Sequence, residues 1–277
     1  MENNNEKPHF DKVIGLPQEH RARQEQIEEL LSQKLKGFGG EKIEKFEIDK
    51  TERDIEIINF AKEAVGDYSK KYTEKKYDIP LQSIHLFNPG GVEEFTEKRF
   101  KEGAASIMYG SFIVDREESD TAFAMHVFHE ALHLNSYTAL QVKEKEEPRL
   151  RKYRSGIQVG SRNEEKTFFE DVGEAAVELL TRRFYREKII PSDVFDEEDK
   201  KNFVISRLKE RAKLEALIDT LREGNKGQFK TREDIENLFL EAQFTGNLLK
   251  IGRLVEKTYG KGGFRKLGEG NLIKTNP

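Results

Sequence analysis

The sequence predicts an α+β protein. Two observations carry this: β-forming segments gather in the first half, at 83–87 and 105–115, and long stretches of helical periodicity fill the second half. A third bounds it: among 277 residues, 35% are hydrophobic and 36% charged, enough to bury a core while coating helices with solvated charge.

Residues 1–17 are polar and read as a lead-in. From 21 to 36, Ile27, Leu30, Leu31 and Leu35 recur at helical spacing and predict an amphipathic helix, closed by Gly37, Gly39 and Gly40. A second helix is predicted over 51–72, with Ile55, Ile58, Ala61, Val65 and Tyr68 on one side and Thr51 with Asp54 as its N-terminal cap. Residues 83–87 (SIHLF) predict a strand ended by Asn88-Pro89-Gly90-Gly91. Residues 105–115 (ASIMYGSFIVD) predict β structure with a turn or bulge at Gly110-Ser111. Helical periodicity resumes over 120–136. The charged stretch 143–151 reads as a surface excursion, and 153–159 as a short strand. Three helices follow, over 164–187, 197–222 and 232–259. No internal repeat stands out.

Charge narrows the function classes. With 48 Lys and Arg against 52 Asp and Glu, the net charge is -4 and mixed in sign, which argues against nucleic acid or an anionic membrane as partner. No apolar stretch approaches the ~20 residues that span a bilayer, and the N-terminus lacks the apolar core of a secretory signal, so a cytoplasmic protein is expected. The absence of cysteine removes disulfides, thiol nucleophiles and thiolate-held metals, so any metal must be held by His and carboxylates.

Three of the six histidines, His126, His129 and His133, fall within eight residues, and His129-Glu130-Ala131-Leu132-His133 fits His-Glu-x-x-His. On a helix, residues four apart share a face, so two imidazoles can grip one tetrahedral ion at about 2.0–2.1 Å each. Glu130, one residue on, is placed to take a proton from water activated by the metal. The apolar residues around the pair (Val127, Phe128, Ala131, Leu132, Leu134) predict a buried helix, where His and Glu without partners are costly. The third ligand is expected downstream, where Glu174 and Glu178 lie one turn apart among Ala, Val and Leu. Glu174 is assigned as the ligand and Glu178 as acceptor of a liganding histidine's far ring N–H, with Glu170 as the fallback ligand. A third ligand from the same straight helix would lie too far along its axis, so His126 is expected in packing or an outer-shell bond.

These two motifs, His129-Glu130-Ala131-Leu132-His133 and Gly173-Glu174-Ala175-Ala176-Val177-Glu178, resemble the gluzincin branch of the zincin metallopeptidases. Leu134-Asn135-Ser136 and Thr181-Arg182-Arg183-Phe184 look most like the minimal forms, the minigluzincins, and the likeness spans about 84–184. The resemblance implies a zincin-like fold: a small twisted sheet, an active-site helix with both histidines, a packed helix with the glutamate, and here a mostly helical C-terminal half. It also implies a zinc (Zn2+) cofactor, a peptide or protein substrate, and an edge strand above the site that pairs with substrate, with Met108, Tyr109, Gly110, Ser111 and Phe112 as its residues. Two positions depart from the pattern: Gly173 stands where relatives often have Asn, and Glu178 where they commonly have Asp. Tyr137, Tyr153 and Arg154 are the candidates for stabilising the oxyanion.

The expected function is a cytoplasmic zinc-dependent endopeptidase. Its alternatives are a regulatory metallopeptidase cutting one specific partner protein and a zinc-stapled interaction module without catalysis. Residues 1–48 are read as an N-terminal extension that either completes the core or covers the cleft, and 49–277 as the catalytic domain with C-terminal helices.

Overall fold

The computed structural model describes residues 10–14, 40–75, 78–106, 110–143, 149–161, 166–202 and 208–272. The predicted helix over 21–36 lies outside the described residues, and of the candidate cleft-covering segment 1–48 only 10–14 and 40–48 are described. Two compact units emerge, one built from 1–66 with 77–153, the other from 67–76 with 154–277. The chain therefore does not divide at residue 48. Ile43 packs with Phe87, Val92 and Ile113, and the backbone N–H of Ile48 donates to Leu86 O at 2.8 Å. Ile43, with the partly buried Phe46 against it, thus belongs to the core of the first unit.

In the first unit, β1 (Lys12–Ile14) runs parallel to β5 (Thr138–Lys143). After the short α1 (Gly40–Glu44) comes α2 (Glu52–Ser69). It buries Ile58, Ala61 and Val65 as their spacing predicts, and Ile57 beside them. Its start is a reciprocal cap: Thr51 donates its N–H (2.9 Å) and hydroxyl (2.7 Å) to Asp54 Oδ2, and the Asp54 N–H donates to Thr51 Oγ1 at 3.1 Å. Burial works to raise the Asp54 carboxyl, but the Thr51 hydroxyl and N–H and the Arg116 guanidinium outweigh it and hold Asp54 below its ordinary 3.8. A carboxyl lowered by folding stabilises the protein above that ordinary value and loses the contribution as pH falls through its folded value. Thr51→Ala is expected to cost about 0.5–2 kcal/mol, read as a lower melting temperature at neutral pH, with the gap to the parent narrowing in acid as Asp54 protonates.

A three-stranded sheet follows, ordered β2 (Ile84–Phe87), β4 (Ser111–Asp115), β3 (Gly103–Ser106), with α3 (Gly91–Phe95) after β2. β2 pairs parallel with β4, placing Ile84 against Phe112 and Phe87 against Asp115; β3 pairs antiparallel, placing Gly103 against Val114. The expected edge strand is thereby corrected. Ser111 and Phe112 lie buried on the central strand, Ser111 paired with Ser106 and Phe112 with both Ile84 and Ala105. Gly110, at φ 63, forms the turn before them, and Met108 and Tyr109 lie outside the described residues. Among the described residues the sheet's edges are β2, which Glu47 meets through one isolated bridge at Phe87, and β3. A fully buried strand reads as a continuous apolar run, which is why Phe112-Ile113-Val114 could not announce its neighbours.

α4 (Asp120–Asn135) is the helix of the histidine motif. The Ser119 hydroxyl caps it by accepting the Ala122 N–H at 2.9 Å, and the Ser136 hydroxyl donates to Leu132 O at its end. Phe123, Ala124, Val127, Phe128 and Ala131 are fully buried. The expected surface excursion over 143–151 conceals strands instead: β5 ends at Lys143 and β6 (Arg149–Ser155) begins six residues on. Charged residues that alternate across a ladder hide it from a search for apolar runs. Arg151 Nε, for example, donates to Gln141 Oε1 at 2.7 Å.

In the second unit, β7 (Gln158–Gly160) pairs with the end of β6 and with β8 (Thr167–Phe168). The predicted helix over 164–187 therefore begins late, as α5 (Glu170–Phe184), which continues through a π turn at Tyr185–Ile189. Phe169 precedes it at φ 61, a strained left-handed conformation for a bulky residue. Packing holds it there, with its ring 4.7 Å from that of Phe264 and its N–H donating to Gly268 O at 2.8 Å. α6 (Glu197–Asn202) and α7 (Leu208–Glu223) occupy most of the predicted 197–222. The predicted 232–259 is two helices, α8 (Arg232–Thr245) and α9 (Leu249–Tyr259), because Gly246 at φ 71 closes the first with a left-handed cap. α10 (Gly263–Gly268) ends the set. Ala175, Ala176 and Leu179 of α5, Leu217, Ile218 and Leu221 of α7, and Phe239 of α8 share one apolar core. The mixed strands and helices bear out the α+β class.

Candidate metal centre

Helix α4 positions the two imidazoles. His129 Nε2 and His133 Nε2 lie 3.2 Å apart, with ring centroids 4.9 Å apart. Two nitrogens at about 2.0–2.1 Å from a tetrahedral ion stand about 3.3 Å apart, so the pair is spaced to hold one cation through matching nitrogens. His129 and Glu130 are each only 8% exposed, which makes a pair of imidazoles and a carboxylate on this helix costly unless they meet a charge or hydrogen bonds.

Glu130 lies against β3. A Cβ added at Gly103 would sit 2.9 Å from both Cγ and Oε1 of Glu130, so the missing side chain at Gly103 is what admits this carboxylate beside the strand. Sequence reading passed over Gly103, and its only signal was a glycine opening a β-forming segment.

His126 is not part of the pair. Its Nδ1 stands 3.8 Å from Glu117 Oε1 and its Nε2 4.0 Å from Glu102 Oε2, beyond hydrogen-bond length. Burial lowers its pKa, opposed by the charge of Glu102. Burial likewise raises Glu117, helped by the charges of Asp115 and Glu102.

Helix α5 carries the carboxylates. Glu174 is half-buried, and its Oε1 accepts a hydrogen bond from Gln158 Nε2 at 2.9 Å. Glu178, one turn on, is 2% exposed. Glu170 is exposed at the start of the helix, where with Asp171, Lys213 and Leu214 it lines a separate cavity of about 330 Å³. Among the described residues, His129, His133 and Glu174 make the group of side chains that can hold a metal ion.

The oxyanion candidates have other visible engagements. Arg154 Nε donates to Gly156 O at 3.0 Å within its own turn. The Arg151 guanidinium lies over the Tyr153 ring, 5.9 Å from its centroid. Tyr137 is half-buried between α4 and β5. No described helix is long and apolar enough to cross a membrane. No protein-family model, curated protein or solved structure matches the chain.

Proposed function

We propose that this protein is a zinc-dependent endopeptidase of the gluzincin type, with His129, His133 and Glu174 as the metal ligands. The observation that carries the reading is the 3.2 Å approach of two Nε2 atoms on a buried helix. The donor set supports zinc in particular: two neutral imidazoles and one carboxylate suit a borderline-soft ion, and three protein ligands leave the fourth position that a catalytic site needs. Bound there, zinc supplies Lewis acidity, lowering the pKa of water to about 7 and polarising the substrate carbonyl.

The chain's own residues supply the rest. Glu130 accepts the proton of the attacking water and returns it to the leaving amine as the peptide C–N bond breaks. Glu178 is assigned as the acid that accepts a liganding histidine's far ring N–H, fixing its tautomer. The outer edge of β3, with no further strand paired to it among the described residues, is the surface on which an extended peptide would lie, its main chain pairing with residues 103–105. The closeness of Gly103 to Glu130 supports this, because it sets the edge strand beside the proton carrier.

The test is to incubate the zinc-loaded protein with unstructured polypeptides and, separately, with a cell lysate, and to search both for new termini by mass spectrometry. Cleavage that stops with a chelator and returns with zinc is expected. Cleavage of a single lysate protein would narrow the reading to a regulatory peptidase, and its absence from both would overturn it.

A further inference from the structure

We infer that Gln158 is the residue that positions Glu174 as a metal ligand, and that Gly173 is the residue that makes room for it to do so. The inference rests on the zinc reading above and extends it to two residues that have no role there.

The argument starts at the turn between β6 and β7. Gly156 has φ 55, and a Cβ there would run into the side-chain amide of Gln243. That amide is buried beneath the turn, and its Oε1 accepts the Ile157 N–H at 3.2 Å. The turn is therefore fixed from below, and the next residue is Gln158. Its backbone is held in register with Ser155. Its side chain passes over the first turn of α5, where Nε2 reaches Glu174 Oε1 at 2.9 Å.

Gly173 is the surface it crosses. A Cβ at 173 would meet Gln158 Cγ at 2.7 Å and Nε2 at 3.3 Å. Any larger residue would displace the glutamine from the path it takes. The departure at 173 from the pattern of the resembling family thus has a local physical reason: the space is taken by the side chain that holds the adjacent carboxylate.

An amide suits the task. Gln158 restrains one carboxylate oxygen through a neutral donor, so the full negative charge remains for a cation. A Lys or Arg at the same place would neutralise the ligand and repel the metal. Holding the long Glu side chain in one orientation also lowers the entropy lost when a metal binds.

Zinc affinity, measured by competition with a chromophoric chelator on the full chain, tests the assignment. Gln158→Met keeps the length and packing of the side chain but removes the donor. It is expected to weaken zinc about 10–100-fold, with one zinc still bound at saturation and the melting temperature of the metal-free protein unchanged. Gly173→Ala should weaken zinc as well, by pushing Gln158 aside. In a Gln158→Ala background the same substitution should cost nothing further, a non-additivity that a general loss of stability would not produce. Parent-like zinc affinity in Gln158→Met, or penalties that simply add, would overturn the positioning role while leaving the metal centre intact. A parent that binds no zinc would overturn the centre and this assignment together.

Discussion

Glu174→Ala is expected to leave the protein without zinc. The parent should purify with, or take up, close to one equivalent; the variant should hold close to none at micromolar concentrations. The size of the effect follows from the donor set. Two imidazoles one helical turn apart give a neutral, bidentate grip, and only the carboxylate brings negative charge to balance the ion. Removing it should cost more than the roughly 10–100-fold that an outer-shell partner is worth. Fold loss is a minor concern at this position, since Glu174 is half-buried and the core face of α5 is made by Ala175, Ala176 and Leu179. Glu170→Ala is the control: Glu170 is exposed at the helix start, lining a different cavity, and that variant should retain zinc. Metal content by mass spectrometry decides the matter without any substrate. Retention of zinc in Glu174→Ala with loss in Glu170→Ala would move the third ligand one turn back along α5.

The sequence revealed the helices that carry chemistry better than the strands that frame them. α4 was legible to within a residue because its motif and its apolar neighbours agree. Thr51 and Asp54 marked the start of α2 for a similar reason: capping is a local interaction between nearby residues. The strands depend on partners far along the chain. The ladder of β5 was missed because Thr138–Lys143 mixes polar and apolar residues, and its pairing with β1 joins residues more than 120 positions apart. The same limit applies to the site. His129, Glu130 and His133 were readable as a spacing, and Glu174 as a carboxylate in an apolar setting. Gly103 and Gln158 were not, since each matters only through what lies against it in space. A glycine gives no sign of whose side chain fills its missing Cβ.

Glu130→Gln should separate metal binding from catalysis. Glu130 occupies a slot against Gly103 in which there is no spare room, its Cγ and Oε1 both 2.9 Å from where a Cβ would begin. Gln has the same outline and fits that slot, whereas Ala would leave a void beside a buried helix and confuse loss of packing with loss of chemistry. The amide keeps the shape but cannot take up a proton from water near neutral pH, so the route from attacking water to leaving amine is cut. Turnover is expected to fall by about 10²–10⁴-fold, the range that a positioned acid–base group contributes, with one zinc still bound and the melting temperature close to the parent's. That combination is specific. A structural carboxylate would lower stability when replaced, and a metal ligand would lower zinc content. A group that only carries a proton lowers neither. Parent-like turnover in Glu130→Gln would remove Glu130 from the reaction and leave His129 and His133 as part of a metal-binding scaffold, with proton transfer assigned elsewhere.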